Sequence, residues 1–421
     1  MLSKKLKKAL LVGCAVCSVF SLGTTSVYAD QNNVSGVGDF EQKLNALLAE
    51  HQLPGVVLHI EHQDKLVLHR AYGKVNINDD RNIAKDDIFR IYSMSKPLAA
   101  VALLQLVDKG LVSLEADIRD YLPAFEPFEY QGQRQRVTVH QLLSHTAGFG
   151  YGGGIKNWVD FRYLIANPLS RRNDLSDLVN DLSGIDLKFI PGSKFEYSIA
   201  SDIQGAIIEA VTNKPLEEYF QHNLFEPLKM IDTGFYVPQA DHRRLVDMYE
   251  YDAGTFEKAY TFNKDNILFV EKAQDSEFLT KPRLISAGGG LVSTAQDFAN
   301  FADMLANGGV FEGQRILSEE LISRMVSSHI QGLDKHFLPR VYHGAGFGYG
   351  IGVKEVAGDS RAQGSFFWSG LGGTVFWVDP INELQVVVMF QVEDGWVGME
   401  KWMIEHVYPL ISSLADAKKK S

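Results

Sequence analysis

Strand patterns occupy the two ends of this chain and are nearly absent from its middle. Val56 to Ile60 and Leu66 to Tyr72 are runs of β-branched and apolar residues, and the polar His62-Gln63-Asp64-Lys65 near their junction reads as a hairpin turn. Such runs return only at Tyr349 to Val356, Ser365 to Ser369, Thr374 to Val378 and Leu384 to Gln391. From Leu114 to Gln331 helix and loop patterns dominate, rich in Gly, Asn and Asp. Strands at both ends with helices between them suggest a sheet assembled from the two chain ends. The pattern therefore predicts an α+β fold, with one antiparallel sheet built from both chain ends and flanked by helices. The middle forms a mainly helical second lobe, and clefts between lobes are common ligand sites. Gly38 to Gln52 has helical spacing, with Phe40, Leu44, Leu47 and Leu48 on one face, and Met399 to Leu414 reads as a closing helix.

The first 29 residues read as an export signal. Lys4, Lys5, Lys7 and Lys8 form a basic segment, Ala9 to Leu22 an apolar one, and Val27-Tyr28-Ala29 a small-x-small cleavage site before Asp30. The expected location is the periplasm or the cell exterior. As a stable membrane span the apolar stretch is too short and too often broken by Gly and Ser. Leu11-Val12-Gly13-Cys14 resembles the segment before a lipid-modified cysteine, but few apolar residues separate Lys8 from Cys14, so simple cleavage is the preferred reading. Both cysteines, Cys14 and Cys17, fall in this segment. The mature chain then has no disulfide and no thiolate metal site. Loss of the four lysines takes the formal net charge from −11 to −15, which argues against nucleic acid or an anionic membrane as partner. No linker or low-complexity run divides residues 30–421, which read as a single domain of two lobes. Composition leaves the oligomeric state open.

The chemistry begins at Ser93-Met94-Ser95-Lys96. Pro97 to Val107 is apolar nearly all round, so this helix should be buried, and Pro97 fits only near its start. Ser93 is thereby placed at or just before the first turn. Residues three apart lie on one helix face, so the Ser93 hydroxyl and the Lys96 amine can share a pocket. A serine hydroxyl needs a nearby base or charge to become a nucleophile, and burial is expected to lower the lysine pKa toward that task. Tyr197, after the turn residues Pro191-Gly192 and before an apolar helix over Ile203 to Val211, is a second candidate base. An adjacent ammonium favours its phenolate form. Trp368-Ser369-Gly370 ends a strand, where a glycine permits close approach of a substrate and backbone N–H groups can face a developing oxyanion.

The ordered set Ser93-x-x-Lys96, Tyr197-Ser198 and Trp368-Ser369-Gly370 resembles the serine β-lactamase and penicillin-binding superfamily, in its class C-like branch. Leu142-Leu143-Ser144-His145-Thr146-Ala147-Gly148, Ala287-Gly288-Gly289-Gly290-Leu291 and Gly346-Phe347-Gly348-Tyr349-Gly350 match the same branch. Within it the chain is most similar to the family VIII carboxylesterases, which commonly carry Trp-x-Gly where lactamases carry Lys-Thr-Gly. The resemblance implies Ser93 as acylated nucleophile and Lys96 with Tyr197 as general-base pair. It further implies the backbone N–H groups of Ser93 and Leu371 as oxyanion hole, substrate contacts at Trp368, Ser369 and Gly370, and no cofactor or metal. Two departures from the lactamases bear on substrate. Trp368 replaces the lysine that holds a β-lactam carboxylate, and Ile199 stands where many members have the Asn of Tyr-x-Asn. Both favour a neutral ester over a lactam or peptide.

Other signals carry less. His140 and His145 belong to the family's structural segment and have no acid at ligand spacing. Asn76-x-Asn78-x-Asp80 lacks the glycine of a calcium loop, there is no G-x-S-x-G elbow, and Lys418-Lys419-Lys420 reads as a solvated tail. The expected function is an exported serine esterase acting on a small ester or amide. The alternatives are a β-lactamase or D-Ala-D-Ala-type peptidase on the same scaffold, an acyltransferase, and last a non-catalytic binding protein.

Overall fold

The computed structural model describes residues 35–420, apart from 79, 153–156, 252–266, 336–344 and 357. The export-signal reading and both cysteines lie outside the described residues. The chain opens with helix α1 (Ser35–Glu50), then strands β1 (Val56–His62) and β2 (Lys65–Tyr72). Gln63 and Asp64 join these strands with φ of 55° and 54°, left-handed values that suit a two-residue hairpin turn. Near the other end come β3 (Ala345–Phe347), β4 (Gly352–Lys354), β5 (Phe366–Ser369), β6 (Val375–Asp379) and β7 (Leu384–Phe390). All seven strands form one antiparallel sheet in the order β3-β4-β5-β6-β7-β1-β2. The hairpin is zipped onto the last strand, with Val56 opposite Phe390 and His62 opposite Leu384. The two chain ends therefore close the sheet, as the strand pattern predicts.

Every residue of β5, β6 and β7 is buried, which requires cover on both faces. Helix α5 (Ala295–Ala306) lies against β1, β6 and β7, with Phe298 and Phe376 rings 4.8 Å apart. α1 pairs with the final helix α6 (Trp396–Lys420) through Phe40 and Trp402. Tyr72 donates to Glu41 at 2.8 Å and Tyr408 to Asp379 at 2.7 Å, tying both helices to the sheet. Helix α2 (Ser95–Asp108) is buried at every residue from Ser95 to Leu106 and packs on α4 (Ala200–Thr212), which also packs on α3 (Leu175–Leu182). An apolar helix of this kind is stabilised by the surface that it removes from water rather than by an amphipathic stripe.

Three details differ from the sequence expectations. Only Gly352–Lys354 of the expected strand Tyr349 to Val356 pairs in the sheet. Gly350, at φ 69°, turns the chain there, and an added Cβ would lie 3.0 Å from the Lys96 carbonyl oxygen. A three-stranded sheet of Met248–Tyr251, Ile267–Glu271 and Val392–Glu393 interrupts the helical middle, its parallel pairing supplied by a partner more than a hundred residues away. The Lys418–Lys420 backbone continues α6, so the chain end is helical where no helix was expected.

Asp303 of α5 yields a stability prediction. Burial first, then the Glu61 and Asp64 carboxylates, push its pKa from 3.8 up to about 6. An acid raised on folding contributes its full stability below its unfolded value and loses it as pH climbs through 6. Asp303→Asn should therefore raise the melting temperature at pH 8, by an equivalent of about 1 kcal/mol once partial exposure is discounted. The gain should shrink at pH 4.5. Thermal denaturation at both pH values checks this, and an equal gain at the two would exclude charge as the cause.

Candidate active site

Ser93 lies in a single 3-10 turn, Tyr92–Met94, that runs directly into α2. Tyr92 adopts φ 40°, an uncommon value for a residue with a Cβ. Neighbours hold it there: the Ile91 N–H donates to the Leu291 carbonyl at 3.0 Å, and the Tyr92 hydroxyl reaches Met248 Sδ at 3.3 Å. Lys96 follows in the first turn of α2, and its Nζ donates to Ser93 Oγ at 3.2 Å. The sequence spacing thus delivers the expected pair.

Lys96 is fully buried, and its ammonium has two further acceptors, the Gly288 carbonyl at 2.5 Å and the Tyr151 hydroxyl at 3.3 Å. Burial alone pushes the Lys96 pKa down, but the phenols of Tyr151 and Tyr197 and the Asp202 carboxylate outweigh it and hold the pKa above the ordinary range. The expected lowering is corrected accordingly: Lys96 is a fixed positive charge beside Ser93. Asp202, in α4, accepts from Ser286 Oγ at 2.6 Å and from the Gly288 N–H at 3.1 Å. A Cβ on Gly288 would lie 2.5 Å from the Asp202 carboxylate, which explains the glycine beneath the lysine.

Tyr197 sits in the loop between Lys194–Phe195 and α4, with Lys96 Nζ 4.7 Å from its ring centroid. Its hydroxyl meets no partner of full hydrogen-bond geometry among the described residues. The ring is hemmed in by His145 at 4.9 Å, Tyr151 at 5.8 Å and Trp368 at 5.5 Å between centroids. Tyr151 was not anticipated from sequence. It lies three residues beyond Gly148 of a motif already singled out, but no spacing rule connects it to Lys96. Burial pushes the Tyr151 phenol up despite the ammonium beside it.

Trp368 and Ser369 end β5, and Gly370 follows them. Trp368 is 5% exposed, packs edge-on against Phe347 and lies tilted at 47° against Tyr197. A Cβ on Gly370 would lie 2.3 Å from the Ile91 carbonyl oxygen, and one on Gly372 would lie 2.9 Å from the Tyr92 ring. These two glycines let Leu371 abut the turn that carries Ser93. The Leu371 carbonyl accepts from the Asp394 N–H at 3.1 Å. Gly370→Ala should force this backbone away from Ser93. We expect a loss of about 100-fold in kcat, as for a misplacement of about 1 Å, measured by steady-state kinetics on folded protein. Unchanged kcat would mean that the close approach is not needed.

His140 and His145 are not a pair: His140 Nδ1 contacts the Tyr349 hydroxyl at 2.8 Å, whereas His145 faces Ser198.

Residues 40–405 match the family model described as Beta-lactamase. The chain belongs to the beta-lactamase family. Esterase EstB of Burkholderia gladioli is 28% identical over 415 residues, spanning 95% of this chain and 97% of EstB. An uncharacterized Mycobacterium tuberculosis protein is 29% identical over 359 residues, spanning 80% of this chain and 86% of that relative. Among solved structures, EstCE1, a hydrolase with promiscuous acyltransferase activity, superposes with a TM-score of 0.73 at 23% identity, over 90% of this chain and 98% of its own. Simvastatin synthase LovD of Aspergillus terreus shares the fold with a TM-score of 0.69 at 20% identity, over 89% and 98% of the two chains. The sheet built from both chain ends is thus the beta-lactamase fold. This member is a serine hydrolase of that family, a class that acts on small substrates. No helix among its described residues is long and apolar enough to cross a membrane.

Proposed function

We propose that the protein is an exported serine esterase that cleaves small carboxylic esters through an acyl-enzyme on Ser93. The observation that carries the reading is the buried Lys96 ammonium 3.2 Å from Ser93 Oγ, beside the Tyr197 ring. Ser93 Oγ attacks the ester carbonyl as its proton passes to Tyr197. Lys96, held as a cation, stabilises the phenolate that accepts this proton and serves as the charged half of the base pair. The Ser93 and Leu371 N–H groups receive the oxyanion. The tetrahedral adduct then collapses, the alcohol leaves with the proton returned by Tyr197, and water repeats the sequence to release the acid.

A neutral substrate is favoured by Trp368. A lysine there could pair with a lactam or peptide carboxylate, a charge-assisted contact of roughly 1.5–3 kcal/mol that an indole cannot replace. Ile199, buried at the head of α4, likewise supplies no side-chain amide. The similarity to EstB along nearly the whole chain supports the same class. The test is kcat/KM for a butyrate ester against a cephalosporin on purified protein. We expect the ester to be turned over well and the cephalosporin slowly or not at all. A higher value for the cephalosporin would replace this reading with the lactamase one. Trp368→Lys should narrow the gap.

A further inference from the structure

His145 holds the backbone on both sides of Tyr197. The Glu196 N–H donates to the His145 carbonyl oxygen at 3.0 Å, and the Ser198 N–H donates to His145 Nδ1 at 3.0 Å. The two peptide N–H groups that flank the tyrosine thus end on one residue. The imidazole also lies along the Tyr197 ring, with centroids 4.9 Å apart and planes 31° from parallel. Phe347 meets the imidazole edge-on at 5.3 Å. His145 is completely buried and adopts φ 54°, a left-handed conformation that costs energy for a residue with a Cβ. Surrounding structure maintains it: the His145 N–H donates to the Leu142 carbonyl, and the next residue donates to that of Gln141.

Because Nδ1 accepts a backbone N–H, the ring proton must sit on Nε2, which finds no partner among the described residues. Burial first, and the Lys96 charge second, keep the ring neutral. A buried N–H without an acceptor is costly, and a leucine or phenylalanine would fill the space without that cost. The imidazole is retained where only its Nδ1 lone pair does useful work.

We infer that His145 is a positioning residue for Tyr197, fixing the phenol over Lys96 by accepting the Ser198 N–H and by packing along the ring. The inference rests on the reading of Tyr197 as the group that takes the Ser93 proton. It differs from a purely structural role, which would affect folding but not act through Tyr197.

The test compares four substitutions by ester kinetics and thermal denaturation. The Asn Oδ1 atom can occupy the place of Nδ1, whereas Gln Oε1 reaches the place of Nε2. We expect His145→Leu to lower kcat about 100-fold with KM little changed, the effect of a small misplacement of a reacting group. His145→Asn should recover most of that loss and His145→Gln should not. The Asn and Gln comparison stands even if the leucine variant does not fold. In a Tyr197→Phe background, His145→Gln should cost little further activity, as groups acting through one another are non-additive. An equal loss in that background would overturn the inference while the role of Tyr197 stood, as would equal kcat for the Asn and Gln variants. Full activity in Tyr197→Phe alone would overturn the reading of the catalytic centre, and the His145 role with it.

Discussion

Ser93→Ala is expected to lower ester turnover by at least about 10⁴-fold, because no other hydroxyl can take over the covalent step. The fold should be unaffected. Ser93 is half-buried in a turn held by the Ile91 and Tyr92 contacts rather than by its own side chain, and its hydroxyl only accepts from Lys96. The alanine variant leaves Lys96 with the Gly288 carbonyl and the Tyr151 hydroxyl, so the ammonium stays paired. Circular dichroism melting should match the wild type. A variant that keeps full activity would exclude Ser93 as the nucleophile, whereas one that is inactive and also unfolded would place Ser93 in the stability of the turn.

Lys96→Ala and Tyr197→Phe should each reduce kcat by orders of magnitude, and the double variant should lose little more than the worse single one. The two form one unit: a cation 4.7 Å from the tyrosine ring stabilises the phenolate that takes the Ser93 proton. Lys96→Ala carries a second cost. It removes the group that joins the Gly288 carbonyl, Ser93 and Tyr151, leaving a buried carbonyl without its donor. A lower melting temperature is therefore expected for Lys96→Ala and not for Tyr197→Phe. Steady-state kinetics on the three variants checks the coupling. Losses that multiply would mean that the residues act independently, and the proposed base pair would be wrong.

The parts of this protein that were legible in its sequence are those set by local rules. The hairpin of β1 and β2 and the buried runs of β5 to β7 announce themselves by residue type and length. The meeting of Ser93 with Lys96 follows from a three-residue offset. Tyr197 carried no local signal linking it to Ser93: its phenol and its place between a turn and an apolar helix made it a candidate base, and the ordered motifs of a family resemblance gave it a partner. The Lys96 pKa went the other way from expectation because burial was the one influence visible along the chain. The phenols and the carboxylate that outweigh it arrive from residues 151, 197 and 202. Tyr151 was missed, and His145 was placed only in a structural segment, for the same reason. Their roles consist of contacts across about fifty residues of sequence, which no periodicity encodes. Gly370 and Gly288 are intermediate cases: a glycine suggests close approach, but what approaches is known only from the fold.

Catching the acyl-enzyme tests the role of Ser93 on the wild-type protein itself. Wild-type protein mixed with an activated butyrate ester, quenched in acid at short times and digested, should show one butyryl addition on the peptide containing Ser93. The addition should be absent in Ser93→Ala and persist longer in any variant that slows deacylation. A butyryl group on another residue, or turnover of the ester with no acylated peptide at any time, would contradict the account.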